Sequence, residues 1–262
     1  MEAFEVLTNY YNSYDEDSRL LSRHGSVEFL TTVRYIEKYL RSGMKILEIG
    51  AGTGRYSHLF AHKGYTVDAV ELIEHNIEKF KINTLPDETV TITQGNAVDL
   101  SFIAQNTYDI TLLLGPMYHL FADEDKKKAL SEALRVTKPN GLLYVAYCMN
   151  EATIIQFGFQ RGGILKEPYK TLINPITFKA SSTPDEIFTL YRKEEIDALI
   201  SDLKVSRLHF LGTDMFTNYN REMIDNMDDS LFELYLKYHF AICERADLTG
   251  MSYHTLDILR KE

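Results

Sequence analysis

Apolar residues recur at mostly three- and four-residue steps from residue 18 to residue 40. This spacing predicts one amphipathic helix or two, with an apolar stripe that packs on a core. Residues 41–43 break the pattern, and the short, largely apolar run 44–49 predicts a strand of the kind buried in a parallel sheet. We therefore expect residues 1–40 to form a helical cap and the sheet to begin near residue 44.

Strand and helix patterns alternate along the next hundred residues. The predicted helices lie at 56–63, 73–85 and 123–136, and the predicted strands at 44–49, 66–70, 90–94, 110–114 and 142–147. Such alternation is typical of βαβ units, which place parallel strands between two layers of helices. Residues 41–150 are therefore expected to form an α/β core with a doubly wound, mostly parallel, Rossmann-like sheet.

The alternation ends after residue 150. Residues 151–192 are irregular, with aromatic, glycine and proline residues, and a helix pattern follows at 193–203. Two strand-like segments, 205–211 and 252–259, would bring the sheet to seven strands, with a second helical insertion at 220–246 between them. Long insertions in compact domains usually serve a function, so residues 151–262 are expected to complete the sheet and form a substrate-shaping lid within one domain.

The charge balance narrows the set of binding partners. Lys and Arg total 28 against 38 Asp and Glu, which gives a net charge of −10 and disfavours nucleic acid and anionic membranes as partners. No apolar run approaches the ~20 residues that span a bilayer. The two cysteines, Cys148 and Cys243, have no CxxC spacing, which fits a reducing compartment. These features predict a cytoplasmic protein.

A glycine-rich turn follows the first predicted strand, in the sequence Glu-Ile-Gly-Ala-Gly-Thr-Gly at residues 48–54. Gly50, Gly52 and Gly54 permit positive φ and let the backbone approach a ligand closely. A dinucleotide fingerprint would need glycine at position 55, where Arg55 stands. We expect a nucleotide-like ligand without a pyrophosphate.

Two further strand ends are predicted to meet this turn. Glu71 ends the second strand, and its carboxylate can accept both hydroxyls of a ribose. The third strand ends in Gly-Asn-Ala-Val-Asp at 95–99, small and polar groups beside which an adenine ring could lie. The three strand ends together predict an adenosine-shaped site.

Across residues 40–147 the sequence resembles the class I S-adenosylmethionine-dependent methyltransferases. The resemblance is carried by residues 48–54, Glu71, residues 95–99 and the run Asp-Ile-Thr-Leu-Leu-Leu-Gly at 109–115. It implies that S-adenosylmethionine is the cofactor. It also implies transfer of a methyl group to a nitrogen, oxygen, sulfur or carbon atom of a small-molecule acceptor.

The resemblance further implies a set of cofactor-binding residues. The turn would hold the methionine part, Glu71 the ribose, Asn96 and Ala97 the adenine, and Leu114 would offer backbone contacts near the sulfonium. The family often has Asp where Asn96 stands, so this contact would be neutral and weaker. The expected set is Glu48, Gly50, Gly52, Gly54, Glu71, Leu72, Asn96, Ala97, Leu114, Tyr14 and Arg19.

The candidate catalytic residues, Tyr118 and His119, follow the fourth predicted strand at its carboxyl end. His119 could act as a base near neutral pH or form part of the cavity wall, and Tyr118 could donate a hydrogen bond or form part of the wall. Because the sulfonium methyl is already activated, placement of the acceptor could suffice without a catalytic residue.

An aromatic and basic cluster precedes the core, formed by Tyr10, Tyr11, Tyr14, Arg19 and Arg23. Related methyltransferases often lay such a segment over the cofactor, where an arginine can pair with the cofactor carboxylate and tyrosines can surround the sulfonium. The alternative is an amphipathic helix with its charges in solvent.

Other functions are less well supported by the motifs. His58 and His62 have the spacing of a zinc-binding helix, but Leu59 occupies the position of its glutamate, so no metal site is predicted. A nicotinamide-dependent oxidoreductase would need the missing glycine. A non-catalytic S-adenosylmethionine-binding protein stays an alternative, and an RNA methyltransferase is disfavoured by charge and by the lack of an RNA-binding module.

Overall fold

The computed structural model describes residues 3–13, 22–186 and 188–262. Its sheet contains β1 (Lys45–Ile49), β2 (Thr66–Glu71), β3 (Val90–Gln94), β4 (Tyr108–Leu113), β5 (Thr137–Met149), β6 (Leu190–Tyr191), β7 (Val205–Gly212) and β8 (His254–Lys261). Seven strands follow the order β3-β2-β1-β4-β5-β8-β7, and the two-residue β6 pairs with β5 beside this path.

The strands from β3 to β5 in the sheet order are parallel, whereas β8, the last strand of the sequence, is antiparallel to its neighbours. β1 pairs in parallel with β2 and β4, and β3 and β5 extend this arrangement on either side. β8 runs antiparallel to both β5 and β7. The predicted doubly wound, mostly parallel sheet is confirmed, with β6 as an additional short strand.

The helices follow the predicted alternation through the core. They are α1 (Ala3–Ser13), α2 (Arg23–Glu37), α3 (Arg55–His62), α4 (Glu74–Asn83), α5 (Asp123–Val136), α6 (Asn150–Thr153), α7 (Tyr169–Leu172), α8 (Lys193–Ile200), α9 (Arg221–Asp225) and α10 (Asp229–Ile242). A π-helical segment, Ile154–Gln160, continues α6. Within the described ranges, no helix is both long and apolar enough to cross a bilayer.

Two apolar layers form, one on each face of the sheet. Because successive strand residues point to opposite faces, Leu47 packs in the layer that contains α5 and α8, whereas Ile46 packs in the layer that contains α2 and α3. Both side chains are completely buried. This double burial explains why the core strands are nearly continuous apolar runs.

The helices of residues 220–246 support α2 from outside. Thr31 on α2 lies 2.9 Å from the imidazole Nε2 of His239 on α10, and Tyr35 donates a 2.5 Å hydrogen bond to Glu244. Burial lowers the pKa of His239 to about 4, so this imidazole is neutral. The second insertion therefore buttresses the helical layer next to the sheet.

A buried ion pair joins the two antiparallel strands. Asp257 on β8 has no exposed surface, and the Arg207 guanidinium on β7 binds both its carboxylate oxygens at 2.7 Å. Burial raises the pKa of Asp257 although Arg207 opposes this. The carboxylate thus depends on its partner.

Arg207→Met should lower the free energy of unfolding by about 3–5 kcal/mol, because it leaves a buried carboxylate without its partner. The double variant Arg207→Met/Asp257→Leu should recover most of this loss. Chemical denaturation measures both, with Arg245→Met as the control, since the Arg245–Asp247 pair is exposed and should contribute little. Equal losses in the single and double variants would contradict this account.

Candidate active site

A cavity of about 340 Å³ opens at the carboxyl ends of β1 to β4. The sequence predicts that the carboxyl ends of β1, β2 and β3 converge, and all three ends border this cavity. The predicted cofactor-binding residues that line it are Glu48, Gly50, Gly52, Glu71, Leu72, Asn96, Ala97 and Leu114. Gly54 is not among the lining residues, and Tyr14 and Arg19 lie outside the described residues.

Gly52 and Gly54 serve different purposes within the turn. Gly54 precedes α3 at φ +92°, and a Cβ on it would lie 2.5 Å from the Phe80 ring, so it allows tight packing behind the turn. Gly52, at φ +56°, would place a Cβ in open space, with no heavy atom within 4 Å. The space beside Gly52 therefore lies open to a ligand.

Glu71 anchors the glycine turn to the second strand. It is 5% exposed and accepts hydrogen bonds from the backbone N–H of Gly52 at 2.8 Å and of Ile73 at 2.9 Å. Asn76 adds a longer bond of 3.3 Å. A carboxylate offers about four acceptor sites, so Glu71 keeps capacity for a ligand hydroxyl.

Glu48 lies beneath the same turn and is almost completely buried. One carboxylate oxygen accepts from the Ser57 backbone N–H at 2.9 Å and from its hydroxyl at 2.5 Å. Burial raises the pKa of Glu48 to about 8, and the nearby charge of Glu71 acts in the same direction, while the bonds from Ser57 oppose it. A positively charged ligand group would favour the ionised form.

The third and fourth strand ends close two further sides of the cavity. Ala97 is buried, and the exposed Asn96 accepts a 3.2 Å bond from the backbone N–H of Val98 through its side-chain oxygen. The Leu114 carbonyl accepts a 2.9 Å bond from the Tyr118 hydroxyl. That bond directs the hydroxyl proton of Tyr118 at the main chain, and a catalytic role for Tyr118 stays a prediction.

His119 lines the cavity within a cluster of aromatic rings. Its Nε2 lies 2.9 Å from the hydroxyl of Tyr11 on α1. The rings of Tyr118 and Phe188 pack at centroid distances of 4.9 and 5.3 Å from its imidazole. His119 therefore has the position expected of a base or of a wall residue.

The far wall of the cavity differs from the expected one. Neither 151–192 nor 220–246 contributes to the lining among the described residues, although Phe188 packs behind His119. Instead, α1, α2 and the ends of β7 and β8 form this wall, with Phe4, Leu7, Tyr11, Glu28, Thr32, Thr213, His254, Thr255 and Leu256. The cause is the antiparallel β8, which begins at the edge where the parallel strands end.

Of the basic residues in the N-terminal cluster, the described Arg23 does not line the cavity. Arg23 pairs with Asp229 on α10 at 2.7 Å, away from the cavity. Arg55, which the sequence singled out only for replacing a glycine, lines the cavity and lies over the Phe29 ring at 4.5 Å.

Sequence reasoning missed a charged group on the far wall, formed by Glu28, Asp214 and His254. The imidazole Nδ1 of His254 lies 2.8 Å from Asp214 and 3.2 Å from Glu28. Burial alone lowers the pKa of His254, but the charge of Glu28, the neighbouring Cys148 and the hydrogen bond to Asp214 overcome it and hold that pKa well above its usual range. His254 is therefore an imidazolium held between two carboxylates.

This group has the composition of a metal site, but its hydrogen bonds are already formed. Asp214, 1% exposed, also accepts from the Ser252 hydroxyl at 2.7 Å and from the Tyr253 backbone at 2.9 Å. The group fixes the start of β8 against the end of β7.

The fold and the site define a nucleotide-binding α/β protein. Residues 47–145 match the methyltransferase domain family. The chain is 35% identical over 105 residues to a demethylmenaquinone methyltransferase of Renibacterium salmoninarum. The aligned segment covers 40% of this chain and 41% of that protein. It is 27% identical over 118 residues to a glycine/sarcosine N-methyltransferase of Aphanothece halophytica, 44% of each chain.

Among solved structures, the fold is similar to magnesium protoporphyrin IX methyltransferase from Synechocystis PCC 6803 with bound S-adenosylhomocysteine. The match covers 98% of this chain and 99% of that one, with a TM-score of 0.60 at 12% identity, and concerns the fold alone. Residues 47–145 therefore contain a methyltransferase domain, and the comparisons support S-adenosylmethionine as its cofactor. The aligned segment spans about two fifths of the first curated relative.

The raised pKa of Glu48 makes stability depend on pH. Between about 4.5, its ordinary value, and about 8, the folded protein holds a proton that the unfolded chain releases, so stability falls as pH rises through this window. Glu48→Gln removes this loss, and its Tm relative to wild type should rise from pH 5 to pH 8. Calorimetry without cofactor measures this Tm difference, and Glu74→Gln is the control because Glu74 is exposed. A difference that is constant with pH would contradict the assignment.

Proposed function

We propose that this protein transfers the methyl group of S-adenosylmethionine to a nucleophilic atom of a small molecule. The observation that carries the proposal is the pairing of Gly52 with Glu71. The open side of Gly52 and a buried carboxylate bonded to its N–H face one cavity at adjacent strand ends. This arrangement suits an amino acid joined to a ribose.

The residues present fit the parts of this cofactor. Glu48 would face the cationic methionine part, Glu71 would accept from a ribose hydroxyl, and Asn96 and Ala97 would border the adenine. The Leu114 main chain, held by Tyr118, would lie near the sulfonium.

The chemistry asks mainly for alignment. Bound S-adenosylmethionine supplies a methyl group already activated by the positive sulfur. The protein must hold the acceptor in line with it and exclude water, which the rings of Tyr11, Tyr118 and Phe188 around His119 can do. If the acceptor is a hydroxyl or an ammonium, the proton that it loses can pass to His119.

The cavity also bears on the rival functions. Its wall carries the carboxylates Glu28 and Glu71, which would repel the phosphates of RNA. The side chain of Arg55 stands where a dinucleotide turn needs glycine, which disfavours a nicotinamide enzyme. A non-catalytic role would leave the aromatic setting of His119 without a purpose.

The acceptor is a small molecule in this proposal, without a particular identity. The two curated relatives described above are named for different acceptors, demethylmenaquinone in one case and glycine or sarcosine in the other. Cytoplasmic location stays a prediction from cysteine usage and charge.

Glu71→Ala should weaken binding of S-adenosylhomocysteine by about 1–3 kcal/mol, because the ribose loses a charged acceptor in a buried site. Titration calorimetry measures this, and the exposed Glu74→Ala is the matched control. Wild type should gain Tm with S-adenosylmethionine and not with NAD. Stabilisation by NAD, with no response to either sulfur compound, would reject the proposal.

His119→Ala distinguishes a base from a wall residue. As a base, His119 should contribute about 10²–10⁴-fold to kcat, whereas as a wall residue its loss should mainly raise KM for the acceptor. Tyr11→Phe removes the hydroxyl bonded to the imidazole and keeps the ring, so it tests whether that bond matters. An acceptor found by screening allows steady-state kinetics of wild type, His119→Ala and Tyr11→Phe. Unchanged kcat and KM in His119→Ala would exclude both roles.

A further inference from the structure

A second cavity of about 310 Å³ lies within the irregular segment after β5. Its walls are mainly apolar and aromatic, with Ile154, Phe157, Tyr169, Leu172, Ile173, Ala180, Phe188, Leu190 and Tyr253 among them. Thr153, Ser181, Ser182 and Asp185 supply the polar part. The composition is that of a site for an apolar group.

The two cavities share an aromatic wall. Phe188 lines the second cavity, and its ring packs 5.3 Å from His119 and 5.8 Å from Tyr118, both of which line the first. Tyr253 also lines the second cavity, and its ring packs 4.4 Å from that of His254 in the wall of the first. One layer of rings therefore separates the two spaces.

The first cavity is small for a two-substrate site. At about 340 Å³ it lies near the lower end of single-ligand pockets, which span roughly 300–1,000 Å³. Methyl transfer needs cofactor and acceptor together, so an acceptor of more than a few atoms needs further space. The adjoining second cavity offers that space on the side of His119, where the acceptor would lie.

We propose that the second cavity binds an apolar chain or ring of the methyl acceptor, whose nucleophilic end lies beside His119. This inference rests on the proposed function and names its acceptor class: an amphiphilic small molecule. Rotation of Phe188 about its side-chain bonds would join the two cavities. If each carbon atom takes the ~30 Å³ that one water molecule occupies in the liquid, the second cavity has room for about ten carbon atoms.

Titration calorimetry on the protein saturated with S-adenosylhomocysteine tests this with 4-ethylphenol and 4-octylphenol. A fully buried methylene contributes about fourfold in affinity, so burial of three or four of the six additional methylenes should make 4-octylphenol bind about 100-fold more tightly. Ala180→Phe fills the second cavity and should remove at least about tenfold of that gain, with 4-ethylphenol binding unchanged. Gly158→Leu is a second filling variant, since a Cβ there has only ordinary contacts.

Ile176→Phe is the matched control, because Ile176 is 86% exposed in the same segment and does not line the cavity. It should leave binding of both phenols unchanged. Equal chain-length gains in wild type and both filling variants would overturn the inference, as would a loss of the gain in Ile176→Phe, which would place the chain on the surface. If wild type does not bind S-adenosylhomocysteine, the proposed function is rejected instead.

A crystal structure of the ternary complex with 4-octylphenol gives the decisive geometry. The phenol oxygen should lie beside His119 and the chain between Ile154 and Ile173. A chain that occupies the second cavity while its phenol ring faces solvent would also overturn the inference.

Discussion

The strand order reverses at β1, which has β2 on one side and β4 on the other, and the site depends on this reversal. The chains that leave β1 and β4 diverge, so a crevice opens at their carboxyl ends. The two loops still touch at its base, where a Cβ on Gly50 would lie 2.7 Å from the Pro116 ring. Gly50 thus lets both loops begin together and separate around a ligand, while Glu71 fixes the position of the loop after β1.

The opposite wall depends on a second feature, the antiparallel direction of β8. An antiparallel strand begins at the edge where its parallel neighbours end, so His254 arrives at the mouth of the crevice. Asp214 fixes it there by accepting from main-chain and side-chain donors at the β7–β8 junction. A buried carboxylate with this many donors costs little desolvation, and it lets a charged imidazole face the cavity in a fixed orientation.

The sequence predicts those site residues that belong to one short, contiguous pattern. Glu71 could be found because it ends an apolar strand shortly after a glycine turn, and that pattern is contiguous in sequence. Asp214 and His254 lie 40 residues apart and meet only through strand pairing, and Glu28 reads as a solvent-facing charge on an amphipathic helix. The two-residue β6 has no periodicity to detect. The far wall was assigned to the insertions because sequence patterns do not show strand direction.

The charge of the cavity follows from these two walls and has a consequence for turnover. Glu71 lies under the turn, Glu28 faces it across the cavity, and a cationic group would favour the ionised form of Glu48, so these side chains favour a ligand that carries positive charge. S-adenosylmethionine has a cationic sulfur that its product lacks. In a partly buried site, where charges interact more strongly than in water, the same carboxylates therefore favour the cofactor over the product. In the proposed function, an arrangement that favours the cofactor would thereby also promote release of S-adenosylhomocysteine after transfer.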